Sequence, residues 1–365
     1  MPPERLHDVA ELVRELILIP SATDRPDDIE RCIDFIADTL EVDGVRVDRY
    51  SSGGNPSLVA MPRGVTRPDI LFTGHIDVVK IAETSDYRAR MEDGRIVGPG
   101  AADMKGAVAL MMEVFLNAQK RRPGSSVGIA ITSDEETGGA NGIGFLFRKK
   151  GLRAGTVILP DSGSLLEIAT AEKGILHIRI TEEGEAGHGA RPWLVRNALD
   201  EICSSLALLR DRFAGFTGED HWHPTCAVTN ISTPHPANNC IPAHASATLD
   251  IRYTHQEKES ELLALVHGSL SARGSIEHLY GAPPTTLQPD PLFIRITEEV
   301  TGGSVRLIRA HGGSDARYVT EHGIPVIMSR PNVGGVHSVH EWVEIASLGM
   351  LGKIYDTYLE RVLKN

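Results

Sequence analysis

Residues 70–79 read ILFTGHIDVV. The run 70–73 has the apolar character of a buried strand, and Gly74-His75-Ile76-Asp77 follows it at once. Similar short runs occur at 45–50, 58–61, 127–132 and 156–159. Helical spacing lies around them. Leu6, Val9, Leu12, Val13, Leu16 and Ile17 mark one face of a helix over 4–19, which Pro20 ends. Ile29, Cys32, Ile33, Ile36 and Leu40 mark a second over 27–41. Further helices are predicted at 103–120 and 141–150. Strands alternating with helices predict an α/β fold with a mixed central sheet flanked by helices.

The middle of the chain reads differently. Strands with more alternation are expected at 175–181, 226–232 and 245–252, and helices at 196–212 and 256–272. That is the content of a small α+β domain. The α/β pattern then resumes, with helices near 290–300 and 315–322, strands at 305–308 and 325–328, and a final helix over 344–363. The predicted organisation is a discontinuous catalytic domain, 1–176 and 285–365, with 177–284 inserted as a smaller lid or dimerisation domain. Gly, Ser and Pro mark loops at 51–57 and 281–291, the second a hinge candidate.

Composition narrows the class. The chain has 365 residues, a net charge of −12 from 37 basic and 49 acidic residues, and 41% hydrophobic residues. This is ordinary for a globular protein and excludes a disordered or collagen-like chain. No apolar run approaches about 18 residues, which excludes a transmembrane helix. Arg5, His7, Asp8 and Glu11 interrupt the start where a signal peptide is apolar, so a cytoplasmic location is expected. Four scattered cysteines without a CxxC pair read as reduced thiols. The acidic balance and 5% aromatic content argue against a nucleic-acid partner. The 15 histidines, combined with surplus carboxylates, are what a metal site uses.

Five polar clusters sit where predicted strands or loops end, the edge of an α/β sheet at which sites form. In 74–77, His75 can offer a ring nitrogen while Asp77 accepts the other ring N–H and fixes the tautomer; the alternative is a turn with a satisfied histidine. In 98–106, Asp103 is a ligand or an N-cap at the start of the predicted helix. In 132–139, Asp134, Glu135 and Glu136 stand together before two glycines. Adjacent carboxylates repel unless a cation or proton intervenes. One can bind metal and its neighbour serve as general base, or the whole can be a solvated turn. Asp161, in 159–163, and His337 to Glu341, in 336–341, complete the series, with capping as the default for Asp161 and Glu341. Together they form a mixed nitrogen and oxygen donor set suited to zinc, with manganese or cobalt as substitutes.

The sequence resembles the co-catalytic zinc deacylases and exopeptidases, the family of succinyl-diaminopimelate desuccinylase, acetylornithine deacetylase, aminoacylase and glutamate carboxypeptidase. The resemblance lies in ILFTGHIDVV (70–79), GAADMKG (100–106), TSDEETGG (132–139), GHGARPWLVRNAL (187–199), NNCIP (238–242), GGSDARY (312–318) and HSVHEWV (337–343), in family order over most of the chain. It implies two divalent ions bridged by Asp103, with His75 and Asp161 completing one site and Glu136 and His337 the other. It implies Asp77 as the residue orienting His75 and Glu135 as the general base. It further implies a homodimer formed through the inserted domain. In that dimer His188 would stabilise the oxyanion in the partner's site, and Asn239 would also be donated there. Arg252 and Arg317 match positions that bind substrate carboxylates, with a structural salt bridge as the alternative for each.

Three positions depart from the family pattern. Asp161 stands where the desuccinylase branch has glutamate, His340 where asparagine is more frequent, and Pro99 where arginine is common. The implied activity is hydrolysis of the amide bond of a small N-acyl amino acid. The alternatives are a carboxypeptidase or dipeptidase of the same family, or a non-catalytic metal- or ligand-binding protein.

Overall fold

Strand Ile70–His75 is fourth in a six-stranded sheet ordered Val45–Ser52, Asn55–Pro62, Val127–Thr132, Ile70–His75, Thr156–Ile158, Val326–Ile327. The first three run antiparallel to one another in turn; Ile70–His75 is parallel to the strands on both its sides, Val127–Thr132 and Thr156–Ile158, and Val326–Ile327 is parallel to Thr156–Ile158. The fold is therefore the expected mixed α/β sheet with helices. The computed structural model describes residues 1–80, 83–234 and 237–363. The chain divides into two units: Met1–Thr170 with Thr286–Ala310 and Ser314–Asn365, and Ala171–Thr285 with His311–Gly313.

Every residue of Ile70–His75 and of Val127–Thr132 is buried, as expected of strands covered on both faces. Helix Gly106–Arg121 buries Val108 to Met112, Val114 and Phe115, so it is apolar nearly all round and lies inside the core. Helices Pro3–Leu18 and Ile345–Val362 pack on it. Tyr355 of the last helix lies against Phe72, ring centroids 5.3 Å apart. The parallel register sets His75 opposite Thr132. The residues that follow both strands therefore leave the sheet at one edge, at its carboxyl ends.

Local chemistry adjusts several predicted boundaries. The expected loop at 51–57 is a hairpin in which Ser52 pairs with Asn55. Gly53 and Gly54, at φ +56° and +85°, make the two-residue turn that hairpin twist favours. The helix expected from 103 starts at Gly106. Asp103 has φ −133° and ψ 96° and caps nothing, so its N-cap reading is overturned. A small antiparallel sheet of Val333–Gly334, Trp342–Glu344, Arg95–Val97 and Arg90–Glu92 holds the turn that contains His337.

In the second unit, four antiparallel strands are ordered Thr225–Ser232, His244–Tyr253, Gly174–Glu183, Ser275–Ala282. Strand His244–Tyr253 buries every second residue. Its inward side packs with Leu176, Ile178, Ile202, Leu209 and Val266, and these include residues of helices Ala198–Phe213 and Glu259–His267. Strand Ser275–Ala282 is an addition to the predicted elements. Among the described residues, no helix is long and apolar enough to cross a membrane.

Candidate metal centre

The fold brings five sequence-selected candidate ligands together in two groups, His75–Asp103–Asp161 and Asp103–Glu136–His337. In each group the donor atoms lie within 4.8 Å of one another. Asp103 belongs to both. His75 Nε2 lies 3.1 Å from Asp103 Oδ1, and His337 Nε2 lies 3.4 Å from Asp103 Oδ2 and 3.3 Å from Glu136 Oε1.

Asp77 organises the first histidine and the acidic turn together. Its Oδ1 is 3.3 Å from His75 Nδ1. Its carboxylate also accepts the backbone N–H groups of Glu135 (3.3 Å) and Glu136 (3.0 Å). The turn reverses through Gly138 and Gly139, both at positive φ. A Cβ on Gly139 would lie 1.9 Å from Asp315 Oδ1, so glycine is needed there for space as well as for conformation.

Electrostatics explain the protonation of the cluster. Burial works to lower His75, but Asp103 and Asp77 outweigh it and hold the ring well above the usual histidine range. Hydrogen-bonding contact with Asp103 and Glu136 pushes His337 up to about 10. Burial raises Asp103, yet the two histidines hold it well below the ordinary carboxylate range. Glu135 goes the other way: burial, and then the Asp161 carboxylate, raise it well above its usual value. Burial pushes Glu341 up to about 7 and Asp315 to about 7, the latter against the lowering by Arg317.

A divalent ion fits this donor set. Imidazole and carboxylate are its ordinary ligands. Glu136 Oε1 is buried and faces the His337 ring at 3.3 Å, so this oxygen is directed at another member of the donor set, as an oxygen shared with a cation would be. The two histidines draw protons because the surrounding carboxylates need positive charge, and a divalent cation supplies it. This answers the alternative of a solvated acidic turn: Asp134 is buried, and Glu135 and Glu136 are not exposed.

A model of peptidase family M20/M25/M40 matches residues 71–361. The chain belongs to this family. It is 30% identical to a succinyl-diaminopimelate desuccinylase of Bordetella petrii, over 97% of this chain and 98% of the relative. It is 31% identical to the enzyme of that name from Xanthomonas campestris pv. campestris, over 98% and 99%. Among solved structures, the M20 family metallo-carboxypeptidase Sso-CP2 of Sulfolobus solfataricus superposes with a TM-score of 0.79 at 18% identity, covering 98% of this chain and 99% of that one. Aminopeptidase PepT of Bacillus cereus gives 0.78 at 20% identity, covering 98% of each. Those two show the shared fold. As an M20 protein the chain is a hydrolase of the metallopeptidase and amidohydrolase class, and the family implies divalent metal ions.

Other sequence-selected residues are placed as follows in this M20 chain. Arg317 donates to Ser314 O (2.7 Å) and Gly138 O (2.8 Å), and Tyr318 Oη donates to the same Gly138 carbonyl (2.6 Å). His188, Asn239 and Arg252 lie in the second unit. Arg252 makes a two-pronged pair with Asp250, at 2.6 and 3.0 Å. His188 and Asn239 are exposed and sit side by side, since His188 pairs with Cys240 in a short ladder. His340 is exposed, outside both ligand groups. Sequence reasoning left Glu341 as a default cap. It is instead a fully buried carboxylate in contact with the backbone of Asp103 and His337. The signal for it in the sequence is its place four residues after His337.

Proposed function

We propose that this chain hydrolyses the amide bond of a small N-acyl amino acid, in the manner of a succinyl-diaminopimelate desuccinylase or acetylornithine deacetylase. The observation that carries the proposal is the sharing of Asp103 by two three-residue ligand groups, with the Glu135 carboxyl next in chain to one ligand. Asp103 would be held in common by two divalent ions, zinc for preference with cobalt or manganese as substitutes. His75 and Asp161 would complete one ligand set, Glu136 and His337 the other. Bound there, such ions supply a Lewis acid for the amide carbonyl and make water more acidic.

The chain's own groups do the rest. Glu135 takes a proton from the attacking water as the water oxygen bonds to the carbonyl carbon. It returns that proton to the nitrogen as the C–N bond breaks, giving a carboxylic acid and an amine, and the acid's remaining proton passes to the amine to leave a carboxylate and an ammonium ion. Its raised pKa suits both transfers. Asp77 holds the His75 ring in one orientation.

The proposal extends to a homodimer through the second unit. Strand Thr225–Ser232 is a sheet edge with Val228 and Ile231 exposed, a surface that natural proteins ordinarily cover. His188 is assigned to the oxyanion in the partner copy's site. Its Nδ1 accepts the Ala190 N–H at 3.0 Å, so the neutral ring is a donor at Nε2. Arg252, Arg317 and Asn239 are assigned to substrate recognition. Free thiols at all four cysteines support a cytoplasmic location.

The test pairs Glu135→Ala with wild type on a panel of N-succinyl and N-acetyl amino acids and dipeptides. Both proteins should bind two ions, and the variant should lose roughly 10²–10⁴-fold in turnover. Preference for dipeptides would move the assignment to the peptidase branch. Metal binding without any hydrolysis would make the chain a binding protein.

A further inference from the structure

Glu341 is buried to 0% exposure, and its carboxylate gathers backbone N–H groups from two distant stretches of chain. Oε2 accepts from Ala102 (3.2 Å) and Asp103 (3.4 Å), and Oε1 accepts from His337 (3.0 Å). Its own main chain is fixed as well. Gly98 N–H donates to the Glu341 carbonyl at 2.8 Å, and the Glu341 N–H donates to Ser338 O at 3.3 Å.

Both stretches need such a tether. The chain at Asp103 is extended, not helical, so no helix ladder orients it. His337 has φ +60°, a conformation that side chains with a Cβ disfavour, and half of its side chain is exposed, so packing alone holds it weakly. A carboxylate suits the task because it only accepts hydrogen bonds, through two oxygens. A cap would engage one stretch. Glu341 engages two, and each carries a ligand of the Asp103–Glu136–His337 group.

We infer that Glu341 is a positioning residue that holds the main chain at Asp103 and His337 in one frame, so that the donor atoms of the Asp103–Glu136–His337 group meet. It touches neither substrate nor ion, and the inference rests on the metallohydrolase function proposed above.

The experiment uses the full chain, stripped with a chelator and titrated with Co(II) against a chromophoric competitor. The visible absorption of each bound ion is followed. A His337→Ala variant identifies which ion belongs to the His337 group. Glu341→Gln and Glu341→Ala should weaken that ion about 10–100-fold, the usual effect of removing an outer partner of a ligand. The other ion, which shares Asp103 but not His337, should weaken clearly less than the His337 ion. A folded Glu341→Gln protein with both affinities unchanged, or with both weakened equally, overturns the inference. If neither variant folds, amide exchange in the wild type decides. Protection at Ala102, Asp103 and His337 is expected, and exchange there at free-peptide rates refutes the tether. A wild type that binds no ion fails at the proposed function itself, whereas two ions in the wild type and no change in Glu341→Gln refute the positioning role alone.

Discussion

Asp77 Oδ2 accepts the backbone N–H of Glu136 at 3.0 Å, across 59 positions of sequence. The same carboxylate accepts from Glu135 and lies beside His75 Nδ1, so one buried group fixes both the candidate ligand His75 and the turn that carries the candidate ligand Glu136. Asp77→Ala should therefore weaken ion binding about 10–100-fold. It should also lower stability by about 1–3 kcal/mol for each buried N–H left without an acceptor. Metal titration and denaturant unfolding of the stripped protein measure the two effects separately. Unchanged ion affinity would remove Asp77 from the site.

Asp315 makes the stripped protein sensitive to pH. Burial pushes its carboxyl up to about 7, above the ordinary aspartate range, so the folded state keeps a proton that the unfolded chain loses. Its contribution to stability is complete below about pH 4 and is lost as pH rises through 7. Asp315→Asn should flatten the fall of Tm over this range and raise Tm at pH 8 relative to wild type. Thermal melts of both proteins in chelator across pH 4–8 check this. Parallel curves would show that Asp315 does not titrate in that window.

Arg252 separates substrate recognition from structure. It already pairs with Asp250, and His177 Nε2 lies 3.4 Å from the same carboxylate. Arg252→Gln is expected to raise KM for a carboxylate-bearing substrate with kcat little changed, the pattern for lost uniform binding. Steady-state kinetics and Tm are read together. A lower Tm with unchanged KM would assign the arginine to Asp250 and not to substrate.

Removing metal should abolish hydrolysis, and about two equivalents of Zn(II) or Co(II) should restore it. Binding the folded state alone stabilises it by about 2.7 kcal/mol when free ion is 100 times Kd. Melting temperature should thus climb with ion concentration. Full activity in a protein shown to be metal-free would remove the hydrolytic mechanism proposed here.

Much of the fold is legible because burial writes itself into composition. Val127–Thr132 is a strand at the predicted residues, since every position in it is buried and apolar or small. The helices ending at Leu18 and Leu40 follow their apolar spacing in the same way. Strand Ser275–Ala282 escaped prediction because it is a sheet edge, mostly exposed, with a bulge between His278 and Tyr280 and no clean alternation. The hinge expected at 281–291 overlaps its end and the strand Thr285–Thr286. Helical spacing also hides the extended backbone at Asp103, because the residues that hold it lie elsewhere in the chain.

By itself, then, the sequence determined the α/β framework and the kinds of donor at the site: histidines and carboxylates placed just past buried strands, where a sheet leaves side chains free for chemistry. Only the tertiary structure decided which of them meet. His75, Asp103, Glu136, Asp161 and His337 come together because the parallel register aligns the ends of three strands, and because Asp77 and Glu341 tie the remaining loops to them through backbone N–H groups. Hydrogen bonds of that kind depend on position and not on residue type at the donor, so no local pattern records them.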